Sequence, residues 1–313
     1  MTPPEPLDFA QPLDLAEARR WIAGVVGPDF SLELQKQRAW ATTMRVTVGE
    51  ETAWFKACQP VQAFEPRLTA ELARRWPDRL PTVLAVDESR AWLLTADAGV
   101  AVGTLGNSPE IWLRALPRYA ELQLGETSHA VDHLGHGVPD LRLERLPAAL
   151  ESLLASDVPL APDDVRRLRR FAPRFGALCA ELGAAGPAET AQHDDLHVNG
   201  LFVRGEDLRF LDWGDASIGH PFFSLVVTFR FLESHNGLAP PDPWFTRLRD
   251  AYLEPYGRDL TATFSLAWRV GLVAHACAWL RHRQAMPAAA RPAFDAEYAD
   301  LVRWVVARAI PEA

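Results

Sequence analysis

Two different spacings of hydrophobic and polar positions divide the chain. Up to about residue 95, short segments alternate with a period of two. Thr43–Val48 (TMRVTV) and Thr52–Cys58 (TAWFKAC) flank Gly49-Glu50-Glu51 and read as a β-hairpin. Thr82–Val86 and Ala91–Thr95, separated by a turn at Asp87–Arg90, read as a second. Two helices accompany them. Asp14-Leu15-Ala16-Glu17 is a capping-box pattern that opens a helix to about Val26, stopped by Gly27-Pro28, and another runs from about Phe64 to Arg75.

After Asp97-Ala98-Gly99 the period becomes helical. Ser108-Pro109 starts a helix toward Gln123, and further helical stretches lie near Leu146–Ala155, Asp163–Leu182, Phe222–Ser234, Pro243–Tyr256, Leu266–Arg283 and Ala290–Ala309. One non-helical island, Ala191–His220, interrupts them and contains a short hairpin, LFVRGEDLRFLDW. The pattern predicts an α+β fold: a small antiparallel sheet with helices over residues 1–97 and a mainly helical domain over 98–313.

The length of 313 residues suits about two domains, and apolar and charged fractions of 48% and 23% suit a globular chain. A formal net charge of −9 argues against nucleic acid as the main partner, since that partner selects clustered Lys and Arg. Cys58, Cys179 and Cys277 are too far apart to suggest a disulfide framework or a zinc site. The acidic, Pro-rich start MTPPEPLDFAQPLD lacks the pattern of a signal peptide, and Arg or His interrupts apolar runs such as Phe222–Leu232, so neither export nor membrane insertion is expected. A cytoplasmic enzyme or binding protein is the expectation. Of 32 basic residues only two, Lys36 and Lys56, are lysines, and Lys56 shares a strand face with Trp54 and Cys58.

The island carries the densest chemistry. It opens with Gln192-His193-Asp194-Asp195-Leu196-His197-Val198-Asn199-Gly200 and ends with Leu211-Asp212-Trp213-Gly214-Asp215. A hairpin between two acidic clusters folds their ends back toward each other, and paired carboxylates suit Mg²⁺, which takes carboxylate oxygens, waters and phosphates.

These segments, H-x-D-L-H…N followed by a strand pair and D-W-G-D-A, resemble the catalytic and metal segments of the aminoglycoside phosphotransferase family, whose fold is similar to that of protein kinases. The resemblance implies a bilobal protein-kinase-like architecture and an ATP- and Mg²⁺-dependent small-molecule kinase, transferring phosphate to a hydroxyl of an aminoglycoside, amino sugar, choline-like or similar acceptor. It implies Asp195 as the catalytic residue that orients the acceptor hydroxyl and takes its proton. It implies Asp212 as a metal ligand, Lys56 in WFKA as the phosphate-holding lysine and Glu65 as its ion-pair partner, with Glu71 a competing choice. Trp92–Gly99 resembles the hinge that clasps adenine, through Thr95, Ala96 and Asp97.

Other readings remain beside these. Thr42 and Thr43 either donate to phosphates or only start a strand. His193 and His197 are expected to hydrogen-bond the loop backbone, and Asp194 to be a solvated loop residue. Asp157, Asp163, Asp164, Glu233 and Asp242 either line a pocket for a polyamine or form ordinary surface. A metal-dependent hydrolase built on His193, Asp194, Asp195 and His197 would leave Lys56 and Asp212-Trp213 unexplained.

The family pattern places Asn where this chain has Gly200, which leaves a catalytically impaired nucleotide-binding pseudokinase as the alternative function. Asn199 stands one residue early. With a two-residue loop, Gly205-Glu206, Arg204 pairs with Asp207 and Asn199 falls opposite Asp212 as a second metal ligand; a three-residue loop puts Gly200 there instead.

Overall fold

A computed structural model describes residues 13–238 and 242–310. Most of the N-terminal segment examined for an export signal lies outside the described residues. The chain divides into two units. One combines residues 1–100, 202–214 and 285–290; the other combines 101–201, 215–284 and 291–313.

The first unit opens with α1 (Leu15–Val26), whose first turn is capped by Asp14 accepting from the backbone N–H of Ala16 and Glu17, both at 2.9 Å. Then come β1 (Ser31–Gln37), β2 (Ala41–Val48), β3 (Glu51–Cys58), α2 (Glu65–Arg75), β4 (Val83–Asp87) and β5 (Trp92–Ala96). The five strands form an antiparallel sheet in the order β1-β2-β3-β5-β4.

Strand alternation gives the sheet two unlike faces. On one, Met44, Val46, Ala53, Phe55 and Leu94 pack against Ala18 and Ile22 of α1. Trp21, Phe55 and Trp92 close this core with ring centroids 5.5–5.8 Å apart. The other face carries Lys56, with Thr43 and Leu93 as its cross-strand neighbours.

The edge strand β1 is an addition to the sequence reading. It pairs Thr42 and Thr43 of β2 with Gln37 and Lys36, and β2 begins at Ala41, two residues before its expected start at Thr43. Alternation then separates the two threonines. Thr43 stands on the Lys56 face, while Thr42 is buried opposite Ala57 on the face toward α1.

A two-residue strand, β6 (Val100–Ala101), leads to α3 (Pro109–Glu126), α4 (Ala130–Gly135), α5 (Leu146–Ala155) and α6 (Pro162–Ala185). After β7 (Thr190–Gln192) come β8 (Leu201–Arg204), β9 (Asp207–Phe210) and β10 (Ser217–Gly219), then α7 (Ser224–Asn236), α8 (Pro243–Leu253), α9 (Thr261–Ala285) and α10 (Arg291–Ala309). α4, β7 and β10 are not in the sequence reading, and α9 begins five residues before its expected start. In the helical unit, β7 and β10 pair antiparallel, Ser217 opposite Gln192 and Gly219 opposite Thr190, and this ladder anchors the acidic loop that follows β7. Among the described residues no helix is long and apolar enough to cross a membrane.

Candidate active site

Lys56 sits mid-strand in β3, and Glu65 is the first residue of α2, where Pro66 favours helix initiation and an acidic side chain complements the dipole. The Lys56 Nζ donates to Glu65 Oε1 at 2.8 Å and lies 2.6 Å from Oε2. Glu71 instead pairs with Arg67 at 3.2 Å and Arg75 at 4.0 Å. The Lys56 ammonium also donates to Asp212 Oδ1 at 2.5 Å.

Asp212 reaches this position because the β8–β9 hairpin docks on the sheet unit. Phe210 N–H donates to the Arg79 carbonyl at 2.8 Å, and Arg209 to the Leu80 carbonyl at 3.3 Å. Arg204 donates to the Asp97 carbonyl at 3.3 Å. Asp212 follows at φ 66, a left-handed conformation that Asp tolerates better than most residues, with its side chain about half exposed.

The cluster is electrostatically tight. Burial alone would lower the Lys56 pKa, but Asp212 and Glu65 outweigh it and hold the ammonium well above its ordinary value. Burial raises the Glu65 pKa, with Lys56 pulling the other way. Cys58 donates its thiol to Glu65 Oε2 at 3.3 Å, and burial, then the Glu65 charge, push that thiol up.

Thr95 is buried opposite Trp54, and Ala96 opposite Ala53. Asp97 is used structurally: its carboxylate accepts from the Trp54 indole N–H at 3.0 Å and from Gly99 N–H at 3.2 Å. Gly99 has φ 102, and a Cβ there would sit 2.3 Å from the Val203 carbonyl oxygen. Only glycine fits this crossing of the Trp92–Gly99 segment and the hairpin.

Asp195 lies in the loop between β7 and β8, in the helical unit. Its carboxylate is 3.2 Å from His197 Nε2, and the His197 ring stacks flat on Phe231 at 4.3 Å. Burial raises the Asp195 pKa, and His197 opposes that shift. Next to it, Asp194 differs from expectation. It is buried rather than solvated, sits at φ 59, and accepts a short hydrogen bond from the Ser217 hydroxyl that β10 carries in. Burial pushes its pKa up to about 7, with the Ser217 bond opposing. The His193 N–H donates to the Tyr119 hydroxyl at 2.9 Å. Asp215 lies 2.8 Å from His282 Nε2. Among the described residues, the ligand atoms of His193, Asp194, Asp195 and His197 do not gather within 4.8 Å of one another.

The loop between β8 and β9 is the two residues Gly205-Glu206, with the positive φ of 61 at glycine, as a type II′ turn requires. The ladder, however, ends at Leu201, and Asn199 lies in the 198–200 turn before it, so strand pairing does not set the Asn199 direction. Its exposed side chain lies close to Gly103 of its own unit.

A cavity of about 370 Å³ opens beside Asp195 and His197. Arg230 and Phe231 line it from α7, and His275 and Trp279 from α9. None of these four was singled out by sequence reasoning. Their signal is helical spacing, Val227-Arg230-Phe231-Ser234 and His275-Trp279, which a buried core face shares. The five acidic residues considered for a polyamine pocket do not line this cavity. Asp157 pairs with Arg283, Asp163 with Arg166 and Glu233 with Arg308, Asp242 caps α8, and Asp164 is buried.

Solved structures share this fold. An ethanolamine kinase from Plasmodium vivax superposes with a TM-score of 0.65 at 12% identity, over 91% of this chain and 85% of that one. A choline/ethanolamine kinase family protein from Mesorhizobium loti gives 0.62 at 16% identity, over 93% and 94%. Aminoglycoside 2'-phosphotransferase-IIIa, solved with GDP, gives 0.63 at 14% identity, over 94% and 99%. No curated protein matches the chain in sequence. The model of one family matches residues 107–270, more than half of the chain, so the α+β, protein-kinase-like fold is that of a member of the phosphotransferase enzyme family known as APH, to which this chain belongs.

Proposed function

We propose that the chain is an ATP- and Mg²⁺-dependent O-phosphotransferase that moves the γ-phosphate to a hydroxyl of a small molecule. The observation that carries this reading is the Lys56 ammonium held between Glu65 and Asp212. Phosphoryl transfer asks for positioning and charge neutralisation more than for covalent chemistry, and this cluster offers a fixed cation beside a carboxylate with exposed oxygens. Solved relatives in fold are named for phosphotransfer to ethanolamine, choline or aminoglycosides, in line with a small acceptor.

The donor set fits the implied groups. Asp212 offers hard oxygens of the kind Mg²⁺ takes, leaving its other positions to water and phosphate. Asn199, exposed in its turn, is the proposed second oxygen ligand. When bound, ATP and Mg²⁺ supply the transferable phosphoryl group and neutralise its oxygens. Lys56 then holds phosphate oxygens as a compact charge, Glu65 fixes Lys56, and Thr43 on the same sheet face is the threonine suited to donate a hydroxyl. The backbone of Thr95, Ala96 and Asp97 faces the base. Asp195, more basic than an ordinary carboxylate because it is partly desolvated, accepts the proton of the acceptor hydroxyl.

ADP release measured with Mg²⁺-ATP and a panel of hydroxylated small molecules tests the proposal. Acceptor-dependent release that is lost on adding EDTA is expected. ATP binding with no acceptor-dependent release from any compound would overturn it in favour of a nucleotide-binding pseudokinase.

A further inference from the structure

The cavity beside Asp195 has an unusual charge balance for a site that would take a cation. Among the described residues that line it, the only carboxylate is Asp195, already 3.2 Å from His197. Its permanent positive charge is Arg230, which makes no ion pair among the described residues and whose guanidinium rests over the Trp304 ring at 5.2 Å. The neighbouring Arg308 does have a counter-ion, Glu233 at 2.8 Å. Arg230 is partly buried, and burial lowers its pKa, with Asp195 opposing. His275 is also buried, which pushes its pKa down to about 3 and leaves it a neutral hydrogen-bonding group. A partly desolvated guanidinium that the Asp195 charge supports only at a distance, with no ion-pair contact, is costly, and an anionic ligand offsets that cost. An ammonium ligand could stack on Phe231 or Trp279, but it would meet the Arg230 charge.

We infer that the phosphate acceptor is a small hydroxylated anion, a carboxylate or phosphate ester bound by Arg230 with its hydroxyl presented to Asp195. The inference rests on the phosphotransferase reading and narrows its substrate class. A cavity of about 370 Å³ is at the lower end of small-molecule sites, which run from roughly 300 to 1,000 Å³, and accommodates a compact ligand of this kind.

Two measurements test it, each with wild type, Arg230→Gln and Arg230→Lys. The first is the thermal shift produced by D-glycerate, glycerol 3-phosphate, choline or kanamycin at matched ionic strength. The second is ADP release with the same four compounds. At least one of the two anions should raise the Tm of wild type and accept phosphate, and the cations should do neither. Losing one charge-assisted bond should weaken anion binding about 10- to 100-fold in Arg230→Gln, as a rise in acceptor KM, with partial recovery in Arg230→Lys. D-glycerate and glycerol 3-phosphate, compared directly, separate a carboxylate from a phosphate site.

The inference is overturned if neither anion shifts the Tm or if Arg230→Gln leaves the shift intact. It is equally overturned if that variant raises the KM for ATP instead of the acceptor. ADP release with choline or kanamycin alone would retain the phosphotransferase reading and remove this one. Arg230-dependent anion binding without any ADP release would retain the anion site and remove the phosphotransferase reading.

Discussion

The Lys56 ammonium lies 2.8 Å from Glu65 Oε1, joining the middle of β3 to the first residue of α2. That bond fixes the helix to the sheet face and directs the ammonium at Asp212, 2.5 Å away. Glu65 itself is fully buried, so its charge depends on Lys56 for compensation.

Replacing Glu65 by Gln keeps the shape and removes the charge. Lys56 retains Asp212 as a partner, so the loss should fall below the roughly 3–5 kcal/mol typical of breaking a buried pair, at about 1–3 kcal/mol. Urea denaturation measures it. If Lys56 holds phosphate oxygens, the KM for ATP should also rise about 10-fold, because the ammonium is no longer fixed. An unchanged stability and KM together would mean that the pair holds neither helix nor nucleotide.

The strand of Lys56 and the helix that follows it were legible from their periods, but the choice of Glu65 over Glu71 as partner came from the family resemblance, and the ion pair itself is seen only in the structure. The edge strand β1 was not legible in this way. Its side chains are mostly exposed, Leu34 included, and its period-two pattern is limited to Leu32 and Leu34, so SLELQKQ carries only a short strand signal. Asp194 was read as solvated because nothing local buries it. Its burial comes from Ser217, twenty-three residues on, brought in by the β7–β10 ladder. Gly205 gave the length of the hairpin loop correctly, yet the ladder stops at Leu201, so a register argument could not reach Asn199. The cavity residues of α7 and α9 were hidden for a different reason. A helix face that lines a pocket and one that lines a core have the same i, i+3, i+4 spacing.

Asp195→Asn should lower kcat about 10²–10⁴-fold, the usual contribution of a positioned general base. The Kd for ATP, measured by titration calorimetry, should stay close to that of wild type, since the residues proposed to hold the nucleotide belong to the sheet unit. A variant with near-normal turnover would remove Asp195 from the proposed chemistry.

Gly99→Ala should be among the most damaging single changes in the sheet unit. The φ of 102 is strained for any L side chain, and the added Cβ would meet the Val203 carbonyl at 2.3 Å, with Arg204 Cβ at 2.9 Å. Neither contact is the free end of a flexible side chain, so the hairpin that carries Asp212 must shift. The positive φ alone costs about 1–2 kcal/mol, and the displacement adds to it. A fall in the urea midpoint is expected, together with a higher Mg²⁺ concentration for half-maximal activity if Asp212 is a metal ligand. Gly106→Ala is the control: its φ of 86 carries similar backbone strain, but no atom lies within 4 Å of the added Cβ.

Asp194 predicts a pH dependence of stability whose sign follows from its burial. Its folded pKa of about 7 lies above the unfolded value of 3.8, so between these two pH values the folded state holds a proton that the unfolded state has released. Stability from this group is therefore greatest below about pH 4 and is lost as pH rises through 7, by up to about 4 kcal/mol. Asp194→Asn removes the titration while its amide oxygen can still accept from the Ser217 hydroxyl. The Tm of the variant should exceed that of wild type at pH 8, and the gap should narrow as pH falls and close only near pH 4. Parallel Tm curves from pH 5 to pH 8 would show that Asp194 does not carry its proton in the folded state, and that the Ser217 bond and the Arg281 charge nearby keep the carboxylate ionised instead.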